Sequence, residues 1–198
     1  MGTTHRMKKI LLCGDSFSAD WGSTGWPQML SKDFNITNLS QAGVGEYKIL
    51  KQIESTSLDN FDLVIVSHTS PSRIHTVSHP IHRTGFHKNC DLIYTDLEHK
   101  NSFFNISLRT AKNWFRFHYD DQYQIDIYNL IREKINNLCT IPYISISHAR
   151  LNIDVKQETN FIDFFDIWKN HRGKINHYDD AGNQQIYEIL KNKINKII

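Results

Sequence analysis

The sequence predicts a three-layer α/β domain, with a mostly parallel sheet of about five strands and helices on both faces. Three observations carry this. Strand-like and amphipathic helical runs alternate along the chain. The run Leu63-Val64-Ile65-Val66 behind Asp62 has no polar face, the pattern of a strand buried on both sides of a parallel sheet. At 198 residues the chain is long enough for one domain with a real core and short for two.

Residues 9–13 (KILLC) form a first apolar strand that runs into Gly14-Asp15-Ser16. A short helix follows over 26–30, where Pro27 is tolerated in a first turn. Residues 34–39 (FNITNL) alternate as a strand does, 46–53 (EYKILKQI) have helical spacing, and 62–66 are the third strand. Residues 67–104 break the rhythm: they hold Pro71, Pro80, Gly85 and six of the eleven histidines. They read as a loop-rich excursion over the sheet edge, not a second domain. The helical period returns over 107–138, with a stripe of Ile125, Tyr128, Ile131, Ile135 and Leu138. Trp114 and Phe115 fall on an earlier turn or a separate helix, as packing residues. Residues 141–146 (IPYISI) are the next strand, and 161–165 are a short last strand or the start of a helix. Asp179 or Asp180 caps a closing helix over 181–197, with Ile186, Ile189, Leu190 and Ile194 facing the core. The result is a single domain over 1–198, with 1–6 a loose leader.

Composition narrows the function. A net charge of +2, with basic residues dispersed among acids, argues against a nucleic-acid partner. No apolar run reaches membrane-crossing length, and the four apolar residues after Lys8-Lys9 are too few for a signal peptide. Cys13, Cys90 and Cys139 are scattered without a CxxC pair, which suggests neither a zinc knuckle nor a disulfide framework and points to a reducing, cytoplasmic setting.

Ligands of open parallel sheets gather beyond the carboxyl ends of the strands. Ser16, Gly43, Ser70 and the Ser147-His148 pair all fall just past predicted strands. Ser16 is a nucleophile if a base takes its proton, although Gly14-Asp15-Ser16 alone also describes an Asp/Ser helix cap. His177, on the loop before the closing helix, is the candidate base; the plainer reading is an exposed loop histidine. Gly43 allows a backbone N–H to approach a developing oxyanion, with Gly45 as an alternative donor and an ordinary loop glycine as the plain alternative.

Together, Gly14-Asp15-Ser16, Gly43 and the block His177-x-x-x-x-Gly182-Asn183 ahead of an apolar helix resemble the SGNH (GDSL-type) serine hydrolase family, in order over most of the chain. The resemblance implies a flavodoxin-like architecture, Ser16 as nucleophile, His177 as base, and an oxyanion hole from the N–H groups of Ser16 and Gly43, with no cofactor. Two positions differ from the family pattern. After the third strand the family usually reads Gly-x-Asn-Asp; here Ser67-His68-Thr69-Ser70-Pro71 offers the Ser70 or Thr69 hydroxyl instead. The family's aspartate three residues before the histidine is Lys174, leaving a Ser–His dyad oriented by a backbone carbonyl or by Asp179, Asp166 or Asp163. The implied activity is hydrolysis of a small or carbohydrate-linked ester (an esterase or O-deacetylase) through an acyl-enzyme. An O-acyltransferase on the same residues and a non-catalytic module that keeps the fold are the alternatives.

His75, His79 and His82 have the i, i+4, i+7 spacing of one helical face. Pro80 interrupts a simple helix and no cysteine or carboxylate lies at ligand spacing, so no metal is expected and the segment reads as a polar lid. A metal-dependent hydrolase built on these histidines is the remaining rival. Arg73, Arg83 and His87 of the same segment are candidates for a substrate carboxylate, phosphate or sugar hydroxyl.

Overall fold

A computed structural model describes residues 6–22, 25–148, 160–174 and 177–198. The expected leader lies outside these residues except for Arg6, whose guanidinium reaches Asp62 at 3.2 Å. Five strands form one sheet: β1 (Lys9–Gly14), β2 (Asn35–Asn38), β3 (Leu63–His68), β4 (Tyr143–Ser147) and β5 (Phe161–Asp163). Their order is β2-β1-β3-β4-β5, and every neighbouring pair is parallel.

The period-2 alternation of a strand divides the core between the two faces. Ile10 and Leu12 of β1, with Leu63 and Ile65 of β3, meet Trp26 and Leu30 of α1 (Trp26–Leu30) and Ile186, Leu190 and Ile194 of α7 (Asp180–Ile197). Leu11, Cys13, Val64 and Val66 point the other way, onto Ile49, Leu50 and Ile53 of α2 (Glu46–Glu54) and Ile135 of α5 (Asp121–Leu138). A third cluster stands apart from both. Leu97 of α3 (Tyr94–Glu98) packs with Leu108, Ala111 and Phe115 of α4 (Ile106–His118), giving the excursion a small core of its own.

Local sequence explains the element ends. Asn105 and Asp120 cap α4 and α5 through the N–H groups of Leu108 and Tyr123, so Trp114 and Phe115 sit on a helix separate from the Ile125–Leu138 stripe. Asp179 caps α7 through the Gly182 N–H at 2.8 Å. Residues 161–165 are both things in turn: β5 ends at Asp163, whose carboxylate accepts the Phe165 N–H as α6 (Phe165–Asn170) begins. One core assignment is corrected. Ile189 is 41 % exposed. At ~100° per residue it lies about 60° to the far side of Ile186, outside the arc that Leu190 and Ile194 extend.

The strand order places a topological switch between β1 and β3. The chain leaves β1 toward β2 on one side and β3 toward β4 on the other, and the loops part to leave a crevice at their carboxyl ends. Among the described residues no helix is long and apolar enough to cross a membrane.

Candidate active site

The crevice begins where β1 stops. Gly14 is required there, since a Cβ would lie 2.6 Å from the Ser67 Cβ on the neighbouring strand. The Gln52 amide of α2 clamps both sides of this residue, accepting the Gly14 N–H at 2.8 Å and donating to the Gly14 carbonyl at 3.1 Å. The chain then turns tightly: the Ser18 N–H bonds the Asp15 carbonyl at 3.2 Å and carries Ser16 over the sheet edge.

No helix starts here. α1 begins at Trp26, so the helix-cap reading of Gly14-Asp15-Ser16 does not hold. Asp15 is buried and ties the turn instead, accepting the Phe17 N–H at 3.0 Å and the Thr69 hydroxyl at 2.9 Å. Burial raises its pKa above the ordinary carboxylate range, and the nearby Arg73 guanidinium partly opposes the shift. The indoles of Trp21 and Trp26 take the carbonyls of Ser16 and Phe17 at 2.7 and 2.9 Å. The turn is thus held on every side while Ser16 itself lines the crevice.

The loop after β2 is fastened to the same turn, through Asn38 Nδ2 to the Ser18 carbonyl at 2.8 Å and the Ser18 and Ser40 hydroxyls at 2.9 Å. It delivers Gly43 with φ +73°, and a Cβ there would stand 2.6 Å from the Cys90 Cβ. The Gly43 carbonyl accepts the Asp91 N–H and the Arg73 guanidinium at 2.9 and 3.1 Å. Gly45 is different: its N–H is committed to the buried Asp91 carboxylate at 2.7 Å, which removes it as an oxyanion donor.

His177 comes from the far side, on the turn ahead of α7. Its ring stands 5.0 Å from Trp21 and 5.2 Å from Phe17 between centroids. The Gly182-Asn183 that follow dock α7: Asn183 Oδ1 accepts the Trp26 N–H at 3.1 Å, and a Cβ on Gly182 would meet the His171 Cβ at 2.7 Å.

Ser16, Gly43 and His177 line one cavity of about 300 Å³, together with Arg73, His82 and His87. Ser16 and His177 also line an adjoining hollow of about 580 Å³, with Trp21, Lys174 and Asn183. The structure does not bring Ser70 into this group: it lines neither cavity among the described residues, and its hydroxyl shares a 2.7 Å hydrogen bond with Ser72. A larger depression of about 650 Å³ crosses α2 and gathers Lys48, Lys51 and Gln52. It contains neither Ser16 nor His177, so the two candidate residues converge away from the larger hollow.

Of the acids considered for His177, Asp179 is spent on its helix cap and stands 3.4 Å from His171, and Asp163 Oδ1 accepts the Phe165 N–H. Lys174 contributes its carbonyl, which accepts the His177 backbone N–H at 3.2 Å.

Two buried networks beneath the site escaped the sequence. His148, just past β4, holds the Ser67 hydroxyl at 3.0 Å through Nε2 and the Tyr178 hydroxyl at 2.6 Å through Nδ1, and it stacks on Phe17 with centroids 4.7 Å apart. Burial pushes the His148 pKa down to about 3, so this imidazole is neutral, and burial pushes the Tyr178 phenol up. At the end of β3, His68 Nδ1 lies 2.5 Å from the Glu46 carboxylate, whose second oxygen accepts the Thr69 N–H at 3.3 Å. The signal for both was faint: Ser67, His68 and His148 are polar residues at strand ends, and their partners are remote in sequence. No family model matches the chain, and a search of curated proteins finds no match.

Proposed function

We propose that the chain is a serine ester hydrolase of the SGNH type, in which Ser16 attacks an ester carbonyl and His177 takes its proton and returns it to the leaving alcohol. The N–H groups of Ser16 and Gly43 hold the oxyanion, and water releases the acyl-enzyme. The observation that carries this reading is that Ser16, Gly43 and His177, remote in sequence, line one cavity at the topological switch point. The cavity is small and polar-rimmed, which suits a small or carbohydrate-linked ester and an esterase or O-deacetylase, and the scattered cysteines of the chain suit a cytoplasmic setting. An O-acyltransferase would use the same residues with a sugar hydroxyl in place of water.

A non-catalytic binding module is the second reading, favoured by Lys174 at the helper position and by Ser16 being only 9 % exposed. Labelling with a fluorophosphonate probe separates the two. Labelling that Ser16→Ala and His177→Ala both abolish supports the dyad. A folded wild-type chain that takes no probe selects the binding module.

A further inference from the structure

The sequence left the histidines of the excursion as a polar lid, because no cysteine or carboxylate stands at ligand spacing. The fold supplies both from farther along the chain. The antiparallel bridge Ile74↔Leu92 folds the excursion back on itself. It brings Cys90 against His79 and His82, so that one ligand atom from each of the three lies within 4.8 Å of the others. His75 leaves the spacing pattern and turns to Asp91 at 3.4 Å and to the Tyr47 ring. Asp96 lies beside the three, its Oδ2 4.0 Å from His82 Nε2. A second feature points to a ligand: His79 is 2 % exposed, and its Nε2 has no hydrogen-bond partner among the described residues. A buried ring nitrogen left without a partner carries an energetic penalty, which metal ligation removes once the ring proton shifts to Nδ1.

We propose that His79, His82 and Cys90, completed by Asp96, form a binding site for a divalent transition metal of the Zn²⁺ class. Two imidazoles, a thiolate and one carboxylate suit a borderline-soft, four-coordinate ion and do not suit Mg²⁺ or Ca²⁺, which take oxygen ligands. Binding forms the Cys90 Sγ–metal bond and releases the thiol proton to solvent. His79 Nδ1 accepts the N–H groups of Ile81 and His82, each at 3.1 Å, so the neutral ring carries its proton on Nε2. Ligation through Nε2 moves that proton to Nδ1 and opens these two contacts, so the turn rearranges as the ion enters.

The site goes beyond the hydrolase reading and does not depend on it, but it bears on the same cavity. His82 and Cys90 line the hollow shared by Ser16 and His177, and the Cys90-Asp91 segment holds Gly43 by packing and by the Asp91 N–H. A metal at Cys90 therefore fixes the loop that presents Gly43, as a structural pin.

The test is titration of the metal-free, full-length chain with Co²⁺. The expected result is a thiolate-to-Co²⁺ charge-transfer band that saturates at one equivalent and is displaced by Zn²⁺. Cys90→Ser should remove the band, His82→Ala should weaken binding at least tenfold, and the exposed-site control His99→Ala should bind as wild type. In the Zn²⁺-loaded chain the Ile81 and His82 amides should exchange faster with solvent. The half-exposed His82 gives a variant that folds even where Cys90→Ser disturbs packing. Absence of saturable binding overturns the site, as does a charge-transfer band that survives Cys90→Ser or an affinity that His82→Ala leaves unchanged. Unchanged exchange at Ile81 and His82 overturns ligation through His79. Fluorophosphonate labelling of the metal-free wild-type chain tests Ser16 without the metal, so the two proposals fail separately.

Discussion

The carboxyl edge of the sheet carries two serine–histidine sets, one hydrogen bonded and one lining a shared cavity, and they differ in what surrounds them. Ser67 and His148 are hydrogen bonded at 3.0 Å, sealed from solvent, with His148 held neutral by burial. Ser16 and His177 both line the same two hollows. The sealed pair is hydrogen bonded and has no route for a substrate. It braces the floor instead: His148 stacks under Phe17, next to Ser16, and bonds Tyr178, next to His177. On the proposed reading, a short Ser–His distance does not by itself mark the nucleophile; access for the reacting carbonyl does.

The sharpest way to break this contrast is to remove each serine in turn. Ser16→Ala and His177→Ala should each lower kcat/KM for a chromogenic acetate ester by about 10³-fold or more. Ser67→Ala should leave it within about tenfold while costing about 1–3 kcal/mol in urea unfolding, because His148 Nε2 loses its partner. Gly43→Ala ranks next. A side chain at φ +73° with its Cβ driven to within 2.6 Å of Cys90 should cost about 2–4 kcal/mol and slow probe labelling in parallel.

A smaller effect comes from protons. The unfolded chain protonates His148 near the ordinary ~6.5, while the folded chain resists protonation until about 3. Stability from this group is thus fully present above pH ~6.5 and is lost as pH falls toward 3, by up to about 1.4 kcal/mol per pH unit. Asp15, whose pKa burial raises, works with the opposite sign as acid is added. That contribution is common to wild type and His148→Phe, so the difference between their urea midpoints at pH 7 and pH 5 isolates His148, and the variant should show the flatter dependence. The smallest effect is Ser70→Ala, which should leave ester hydrolysis within about twofold, since the Ser70 hydroxyl is turned to Ser72. A tenfold loss there would restore Ser70 to the oxyanion hole.

The sheet was legible because its signals are local. Most strands are short apolar runs, β2 an alternating one, and the apolar stripes of α2, α5 and α7 repeat at helical spacing with caps at Asp120 and Asp179. The convergence of Ser16, Gly43 and His177 on one cavity was legible for a related reason: each follows a strand or precedes a helix, and a parallel sheet sends such positions to one edge. What failed to show were groupings made by long-range contact. Nothing near Asp15 announces Thr69, nothing near Ser67 announces His148, and Cys90 reaches His79 only through the Ile74↔Leu92 bridge. Ser70 failed for the converse reason. Its position just past β3 is right, and a local hydroxyl pair with Ser72 turns it aside.

The most direct test of the contrast is to map the fluorophosphonate adduct by mass spectrometry on the intact, folded wild-type chain. The account predicts a single modified residue, Ser16, with Ser67 untouched and with labelling retained in Ser67→Ala. An adduct on Ser67, or labelling that persists in Ser16→Ala, would contradict it.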